Sequence, residues 1–401
     1  MKALQGLKIL DLTSLWPGPL ATLLLADLGA EVLRIEPPDR PDLLRYLAPL
    51  DQHGQGAAWS FAGRGKRSLA LNLKSAQGRE ILLQLIDSYD IVVEQFRPGV
   101  LDRLGVGYQA LAKRQPRLIW CSITGFGQDG PWRDRPGHDI NYMAASGLAY
   151  LMGGERGGPT PWTALPGDVA GGTWPAVVGI LAAVIQRAAS GRGQQIDIAM
   201  GEGALFLNAL AASGVLAGGE DPQPGTGDLG GGSAFDYYHT QDGRWLAMAA
   251  LEPKFWEGFC QAVGRPDLLH APASTAEETA ALKREIQAEL AAKPFDHWVE
   301  VFERIPVCVE PVRSTAEALQ LPQFVHRNSV IQVAHPAGGQ VAQLASPVRL
   351  SDSPAAPAMA GVAPGWHTRQ VLAELGLAAA RVDELCASGA VMDGQAQGEI
   401  L

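Results

Sequence analysis

The sequence predicts an α/β fold in which a parallel sheet is covered by helices on both faces. Over the first 200 residues, short β-rich runs alternate with helical stretches of about ten residues or more, which is typical of βαβ units. The predicted strands cover residues 7–12, 31–36, 68–73, 90–96, 118–123 and 195–199. The predicted helices cover residues 19–28, 75–88 and 172–189.

The composition changes near residues 217–232, where glycine, proline and acidic residues cluster. A hairpin over residues 237–249, with its turn at Asp242-Gly243, and further helices to about residue 303 follow this segment. Pro-rich loops near 351–364 and a helix over 368–375 come last. We therefore expect a large Rossmann-like domain over residues 1–200, completed by about 325–401, and a smaller α+β domain over 225–320.

Charge and cysteine content restrict the class of protein. The net charge of −10 over 401 residues argues against general nucleic-acid binding, but a small anion needs only a local cationic cluster. The four cysteines form no C-x-x-C pair, so neither disulfides nor a structural zinc site is expected. We see no signal peptide, and the apolar run over residues 174–185 is interpreted as a buried helix. A cytoplasmic protein without a membrane span is expected.

Two polar residues follow glycine at the start of apolar segments. His138 comes after a Gly- and Pro-rich loop, and Asp168 stands before an apolar helix between glycines. His138 could act in catalysis or simply cap a helix. Asp168 could be an ordinary N-cap residue, although its neighbouring glycines would also allow a backbone or a ligand to approach closely.

Cationic and acidic residues elsewhere are further candidates. Arg64, Lys66, Arg67 and Lys74 form a basic cluster, and Arg97 and Arg103 follow the next predicted strand; solvated surface charge and a phosphate clamp are both open. Glu252 ends an apolar strand and could be a turn residue or could orient a histidine. No G-x-G-x-x-G follows the first strand, but Trp16-Pro17-Gly18-Pro19 predicts a helix N-terminus, which attracts anions.

Several motifs carry a resemblance to a known family. They are Leu10-Asp11-Leu12 with Pro17-Gly18-Pro19, the segment 26–32 (ADLGAEV), the segment 65–71 (GKRSLAL), the segment 97–101 (RPGVL) and the segment 191–194 (GRGQ). Through them the chain resembles the class III CoA-transferase superfamily (CaiB/BaiF type) over nearly its whole length. The segments 137–142 (GHDINY) and 251–256 (LEPKFW) look most like those of the α-methylacyl-CoA racemases. Pro37 departs from the arginine that several relatives have near the CoA nucleotide.

The resemblance implies a reaction and an assembly. It implies 1,1-proton transfer at the α-carbon of a 2-methylacyl-CoA between His138 and Asp168, with Glu252 and Asp139 holding the imidazole. In the alternative, CoA transfer between carboxylic acids, Asp168 attacks the acyl-CoA carbonyl as a nucleophile; transferases share the aspartate but usually lack the histidine. It also implies an interlocked homodimer and coenzyme A as part of the substrate, without a separate cofactor or a metal.

By the same resemblance, the residues expected to contact coenzyme A lie in five short segments of the chain. They are Trp16, Pro17, Leu71, Asn72, Leu73, Lys74, Gln95, Phe96, Arg97, Arg103 and Gly137. A CoA-binding scaffold without chemistry and a flavin- or NAD-dependent dehydrogenase are further alternatives, and the second lacks the glycine fingerprint.

Overall fold

A computed structural model of the chain describes residues 2–152, 158–355 and 359–395. Its strands, in chain order, are β1 (Lys8–Leu12), β2 (Glu31–Glu36), β3 (Lys66–Leu71), β4 (Ile91–Glu94), β5 (Ile119–Thr124), β6 (Gln195–Ala199), β7 (Asp236–His239), β8 (Trp245–Met248), β9 (Val309–Pro311), β10 (Val330–Ala334), β11 (Gln340–Leu344) and β12 (Val391–Met392).

The helices, also in chain order, are α1 (Pro17–Asp27), α2 (Ala57–Ala62), α3 (Ala76–Ile86), α4 (Val100–Arg103), α5 (Tyr108–Arg114), α6 (Asp139–Ala145), α7 (Leu148–Leu151), α8 (Pro166–Asp168), α9 (Trp174–Ser190), α10 (Met200–Leu207), α11 (Ala209–Leu216), α12 (Pro253–Ala262), α13 (Ala276–Leu290), α14 (Phe295–Phe302), α15 (Thr315–Ala318), α16 (Pro322–His326), α17 (Thr368–Glu374) and α18 (Ala379–Ala387). Leu43–Arg45 and Pro266–His270 are 3₁₀ turns, and Val169–Thr173 is a π turn.

The chain divides into two compact units. The first contains residues 1–146, 162–207 and 323–401, and the second contains residues 147–161 and 208–322. The first unit is therefore assembled from three separate stretches of sequence. Both the predicted parallel sheet and the candidate residues His138 and Asp168 belong to it.

The first unit is built on a seven-stranded sheet in the order β12-β3-β2-β1-β4-β5-β6. Neighbouring strands from β3 to β6 pair in parallel, and β12 adds an antiparallel edge. The order 3-2-1-4-5-6 is that of doubly wound dinucleotide-binding sheets. The predicted parallel-sheet α/β class is thus confirmed.

Strand alternation supplies a core on each face of this sheet. Leu10, Leu33 and Val92 pack with α3, α17 and α18 on one face, while Ile9 and Val93 pack with α1 and α9 on the other. Strands buried on both faces are expected where helices cover a parallel sheet. The carboxyl ends of the strands then meet at one edge, where such folds bind ligands.

The second unit is a smaller α+β body. The strands β7, β8 and β9 form an antiparallel sheet, and the first two make a hairpin in which Tyr238 pairs with Leu246. The predicted Asp242-Gly243 turn lies between them, and Gly243 has the φ of 76° that favours glycine. The helices α12, α13 and α14 supply the other half of its core.

Most predicted boundaries differ from the structure by one or two residues, and two of the differences have a physical reason. The third strand begins at Lys66, because Lys66 and Ser68 are buried among polar partners at positions where the sequence alone suggested a surface. The apolar helix is longer than predicted, since it runs from Pro166 to Ser190 when its π turn is included. By length and composition this helix could cross a membrane, a criterion that core helices also meet.

Candidate active site

Asp168 lies in the first turn of the long apolar helix. Leu165, three residues before it, has a φ of 50°, a left-handed conformation that costs a non-glycine residue about 1–3 kcal/mol. Pro166 occupies the first helical position, where its fixed φ is favourable. Because the helix begins before Asp168 and the carboxylate caps no backbone N–H, the N-cap interpretation is wrong.

The helix is irregular directly after Asp168. Val169–Thr173 forms a π turn, a rare feature that frequently lies at functional sites. The Thr173 hydroxyl donates to the Pro17 carbonyl at 2.7 Å, which ties this turn to the start of α1. Strain before Asp168 and a π turn after it indicate that the surrounding fold holds this carboxylate in a particular place.

The glycines after Asp168 allow another part of the backbone to approach. A Cβ on Gly171 would lie 2.7 Å from the Met200 carbonyl oxygen, and one on Gly203 would lie 2.3 Å from the Gly171 carbonyl oxygen. The backbones of α10 and the π turn are therefore in direct contact. The sequence left open whether a backbone or a ligand approaches these glycines. The approach of the α10 backbone is sufficient to explain them, so no ligand is required.

Asp139 is the buried partner of Asp168. It opens α6 with 4% of its surface exposed, and its Oδ1 accepts the Asp168 backbone N–H at 3.1 Å. Gly167 allows this contact, since a Cβ there would lie 3.1 Å from both the backbone oxygen and Oδ1 of Asp139. Asp139 thus positions the Asp168 backbone; a contact with the imidazole stays a prediction.

The electrostatic surroundings make Asp168 an unusual carboxyl group. Burial, reinforced by the negative charge of Asp139, raises the pKa of Asp168 to about 6, and the charge of His138 acts in the opposite direction. A like charge and desolvation both disfavour the ionised form, whereas a nearby cation favours it. His138, Asp139 and Asp168 therefore lie within electrostatic range of one another.

His138 begins α6 and presents an exposed side chain. Its backbone N–H donates to the Asn141 Oδ1 at 3.0 Å, which is one half of a capping box. The backbone of His138 thus serves the helix start, while its imidazole is directed to solvent near Asp168. Capping and catalysis need not exclude each other at this residue.

Tyr142 is a residue of this site to which the sequence assigned no role. Its hydroxyl donates to the Gly137 carbonyl at 2.5 Å, and burial followed by the charges of Asp168 and Asp139 raises its pKa to about 12. A Cβ on Gly137 would lie 2.7 Å from Tyr142 Cε1. Gly137 therefore has a packing reason independent of coenzyme A. The sequence feature that could have identified Tyr142 as a site residue is its spacing of four from His138, which places both residues on one side of α6.

The expectation that the N-terminus of α1 attracts anions is wrong. Pro17 and Pro19 have no N–H, and the Gly18 N–H donates to the Gln95 Oε1 at 3.1 Å. The first-turn donors of α1 are thus absent or already satisfied. Trp16 is partly exposed before this helix, with its ring 6.4 Å from that of Phe61.

Half of the predicted basic cluster is not available to a phosphate. Arg64 is 1% exposed and binds Asp27, and Lys66 is 5% exposed and binds Asp11 at 3.0 Å. Arg67 pairs with Glu374 at 2.8 Å. These residues stabilise the fold, so the surface and phosphate-clamp interpretations are both wrong for Arg64 and Lys66.

The remaining predicted cations are exposed. Lys74, Arg97 and Arg103 lie at the surface, and within the described ranges no ion pair involves any of them. Lys74 and Arg97 lie on the loops that follow β3 and β4, and Arg103 is the last residue of α4, which comes after the second of these loops. Because these three cations are exposed, they are still candidates for binding phosphate groups.

The uncharged residues predicted to contact coenzyme A differ in accessibility. Leu71 is 1% exposed within the core. Asn72 accepts the Lys74 N–H at 3.0 Å, while Leu73 and Phe96 are partly exposed against the core. Leu71 can therefore offer a ligand only its backbone, whereas the others also present side-chain surface.

Glu252 belongs to the second unit. It precedes α12, its side chain is exposed, and it forms no side-chain capping bond. Its predicted role beside His138 stays a prediction. Across residues 2–152, 158–355 and 359–395, no group of three or more His, Cys, Asp and Glu side chains could hold a metal ion.

Comparison with known proteins supports this fold. The profile described as CoA-transferase family III matches residues 4–368. The chain belongs to CoA-transferase family III. This family assignment makes the protein an enzyme that acts on a CoA thioester and confirms the superfamily to which its motifs pointed.

Individual relatives divide between two reactions. The chain is 34% identical over 389 residues to α-methylacyl-CoA racemase of Homo sapiens, with 96% of each protein covered. It is 35% identical over 354 residues to acetyl-CoA:oxalate CoA-transferase of Acetobacter aceti, covering 86% of this chain and 89% of that protein. A CAIB/BAIF family protein from Brucella suis has a similar structure, with a TM-score of 0.82, 29% identity, and 93% and 99% of the two chains covered.

Proposed function

We propose that this enzyme inverts the α-carbon of a 2-methylacyl-CoA thioester. The observation that carries the proposal is the pairing of His138 with Asp168 in one electrostatic environment. Inversion needs an acid/base group on each side of the α-carbon, one to remove a proton and one to return it. The similarity to α-methylacyl-CoA racemase over nearly the whole chain supports the same reaction.

The altered acidity of Asp168 suits a reversible proton transfer. Burial and the charge of Asp139 raise the pKa of Asp168 to about 6, so this carboxyl can both give and take a proton near neutral pH. In each direction, one group takes the α-proton to give an enolate, and the other protonates the opposite face.

The enolate oxygen must be stabilised, because the α-carbon is a far weaker acid than either side chain. The Asp168 backbone N–H is not available for this purpose, since it already donates to Asp139. The oxyanion donors therefore have to come from other groups near Asp168.

CoA transfer between carboxylic acids is the second candidate, because transferases are prominent among the relatives. In that reaction the ionised Asp168 attacks the acyl-CoA carbonyl and expels the CoA thiolate, which gives a mixed anhydride. The thiolate then attacks the aspartyl carbonyl and releases the donor acid, and the resulting Asp168 thioester passes CoA to an acceptor acid in the same way. Removal of an α-proton by Asp168 also requires its ionised form, so the raised pKa does not separate the two reactions. The racemase-like segments 137–142 and 251–256 are what favour proton transfer.

A deuterium-exchange experiment separates the two reactions. The enzyme is incubated in D₂O with branched fatty acyl, sterol side-chain and arylpropionyl CoA thioesters, without an acceptor acid. Racemisation incorporates deuterium at the α-carbon and interconverts the epimers. We expect Asp168→Asn and His138→Gln to lower this rate at least about a hundredfold, while His326→Gln, at an exposed histidine outside the site, retains it.

The contrary result is equally specific. Absence of exchange with every thioester, together with an Asp168 adduct trapped by hydroxylamine, would establish transfer and refute racemisation. Full activity of His138→Gln would exclude His138 as the second acid/base group.

We also propose a cytoplasmic homodimer that takes part in acyl-CoA and fatty acid metabolism. Cys121, Cys260, Cys308 and Cys386 are free thiols, which fits a reducing compartment. Exposed apolar side chains on α9 and α10 fit a self-association surface. Cell fractionation and solution mass measurements test the two statements.

A further inference from the structure

Glu94 is a buried carboxyl that takes no part in the proposed chemistry. It is the last residue of β4 and is 5% exposed. Burial is the largest influence on it and raises its pKa to about 7. In the described part of the chain it has no ion-pair partner. A buried carboxyl without a cation is costly, so its hydrogen bonds indicate its purpose.

One hydrogen bond holds the start of one loop. The Glu94 Oε2 accepts the Phe96 backbone N–H at 2.8 Å, and the polar groups of Ser122 and Trp120 lie close enough to the carboxyl group to lower its pKa. Ser122 is the register partner of Glu94 on β5. The carboxyl therefore lies beside β5 on one side and holds the loop backbone on the other.

The segment that follows this restraint carries Arg97 and Arg103, which form no ion pair within the described part of the chain. After Phe96, the chain turns so that the Val100 N–H donates to the Arg97 carbonyl at 3.1 Å, and Gly99 has a φ of 77°. Arg103 ends α4, and its Nη1 lies 3.3 Å from where a Gly99 Cβ would be. The path of the backbone from Phe96 to Gly99 therefore determines where both guanidinium groups are presented.

A small polar cavity lies against this arrangement. Its volume is about 80 Å³, and Glu94, Arg97, Gly99, Tyr108 and Ser122 contribute to its lining. The Glu94 carboxyl therefore lies between this cavity and the loop, and its hydrogen bond from the Phe96 N–H restrains the loop backbone at the start of the segment.

We propose that Glu94 is a positioning residue that fixes the segment 95–103, so that Arg97 and Arg103 meet the phosphates of the CoA thioester. The inference rests on the proposed function in taking coenzyme A as the ligand. Glu94 itself contacts no substrate in this account. A carboxyl oxygen that accepts the Phe96 N–H is the feature that matters, rather than the negative charge.

Calorimetric titration with coenzyme A itself tests the proposal. Glu94→Ala should raise the Kd at least tenfold, whereas Glu94→Gln, which keeps an acceptor oxygen, should remain within about threefold of the parent protein. The kcat at saturating thioester should change less than twofold in both variants. Glu80→Ala, at an exposed carboxylate on α3, is the matched control and should leave the Kd unchanged.

Three results would overturn the inference: no binding of CoA to the parent protein, an unchanged Kd in Glu94→Ala, or equal weakening in the Ala and Gln variants. If Glu94→Ala does not fold, amide exchange of the parent protein provides the test. Bound CoA should slow exchange of the Phe96 amide, and an unchanged rate would refute the proposal. Failure of the deuterium-exchange reaction with normal CoA binding would instead affect only the proposed function.

Discussion

At the scale of single residues, Asp139 determines the properties of Asp168 in two ways. Its carboxylate accepts the Asp168 N–H and so restrains the backbone. The same negative charge raises the pKa of the neighbouring side chain. Hydrogen bonding and charge can be separated experimentally, because an asparagine retains the acceptor oxygen and lacks the charge.

Asp139→Asn should move the acid limb of the pH–rate profile to lower pH. The pKa of Asp168 is raised to about 6, so its ionised form is lost as the pH falls through 6. Removing the Asp139 charge removes one cause of that rise, and the ionised form then persists to lower pH. The measurement is kcat/KM for acyl-CoA epimerisation between pH 4.5 and 8.

Asp134→Asn provides the comparison, since Asp134 is an exposed carboxylate in the loop before α6. Its profile should coincide with that of the parent enzyme. An acid limb unchanged in Asp139→Asn would show that Asp139 does not influence the group whose titration limits the rate.

At the scale of elements, the position of Asp168 depends on the contact between α10 and the π turn. The backbones approach so closely that Gly203 and Gly171 leave no space for a side chain. Close packing without Cβ atoms transmits any displacement of α10 to the turn that follows Asp168. The position of the Asp168 carboxylate therefore depends on two elements, α10 and the π turn, and not on one sequence motif.

Gly203→Ala should therefore lower both stability and activity. The new Cβ would lie 2.3 Å from the Gly171 carbonyl oxygen, and we expect a loss of about 1–3 kcal/mol in the free energy of unfolding, as for other overpacked sites. Urea unfolding and the deuterium-exchange rate measure the two effects.

Gly214→Ala is the matched control, because it also lies in a helix and a Cβ there would meet nothing within 4 Å. It should raise the free energy of unfolding by about 0.5–1 kcal/mol, the ordinary gain of Ala over Gly in a helix. Equal responses of the two variants would contradict the packing argument.

At the scale of the whole molecule, the first unit carries large apolar side chains that are exposed and lie outside its core. Val178 and Ile185 lie seven residues apart on the outer side of α9 and are 64% and 73% exposed, and Phe206 on α10 is 80% exposed. Large apolar side chains grouped in this way mark surfaces that another molecule covers. A second copy of the chain is the partner proposed above.

Phe206→Glu should weaken the dimer. A charge on an apolar interface loses its hydration without gaining a partner, so the dissociation constant should rise at least about a hundredfold. Light scattering across a dilution series measures the mass. Lys113→Glu, on the exposed side of α5, should leave it unchanged, and a parent protein that is monomeric at every concentration would contradict the proposal.

Prediction from the sequence was accurate where a local pattern reports burial. The runs at residues 31–36 and 195–199 coincide with β2 and β6, because both contain the β-branched residues Val or Ile that favour strands, and Pro37 and Pro38 end the first. Ser75, predicted to start a helix, caps α3 by accepting the Gly78 N–H at 2.9 Å. Such signals depend on neighbours in sequence.

Prediction failed where a residue's partner is distant in sequence. Lys66 was expected at the surface, yet its ammonium group binds Asp11 and the Pro19 carbonyl, which lie 55 and 47 residues away. Gln95 accepts the Gly18 N–H from 77 residues away, a contact that the sequence did not indicate, and its expected contact with coenzyme A stays a prediction. No local pattern distinguishes a solvated charge from a buried pair.

The sequence by itself determined the family, the alternating α/β architecture and the identity of the two candidate acid/base residues. These properties can be predicted because motifs and hydrophobic periodicity depend on residues that are close together in the sequence. Only the tertiary structure decided that Asp139 supports Asp168, that the first-turn donors of α1 are satisfied, and that Arg64 and Lys66 are internal. Those outcomes depend on which distant polar groups meet away from water, and burial makes such pairings decisive.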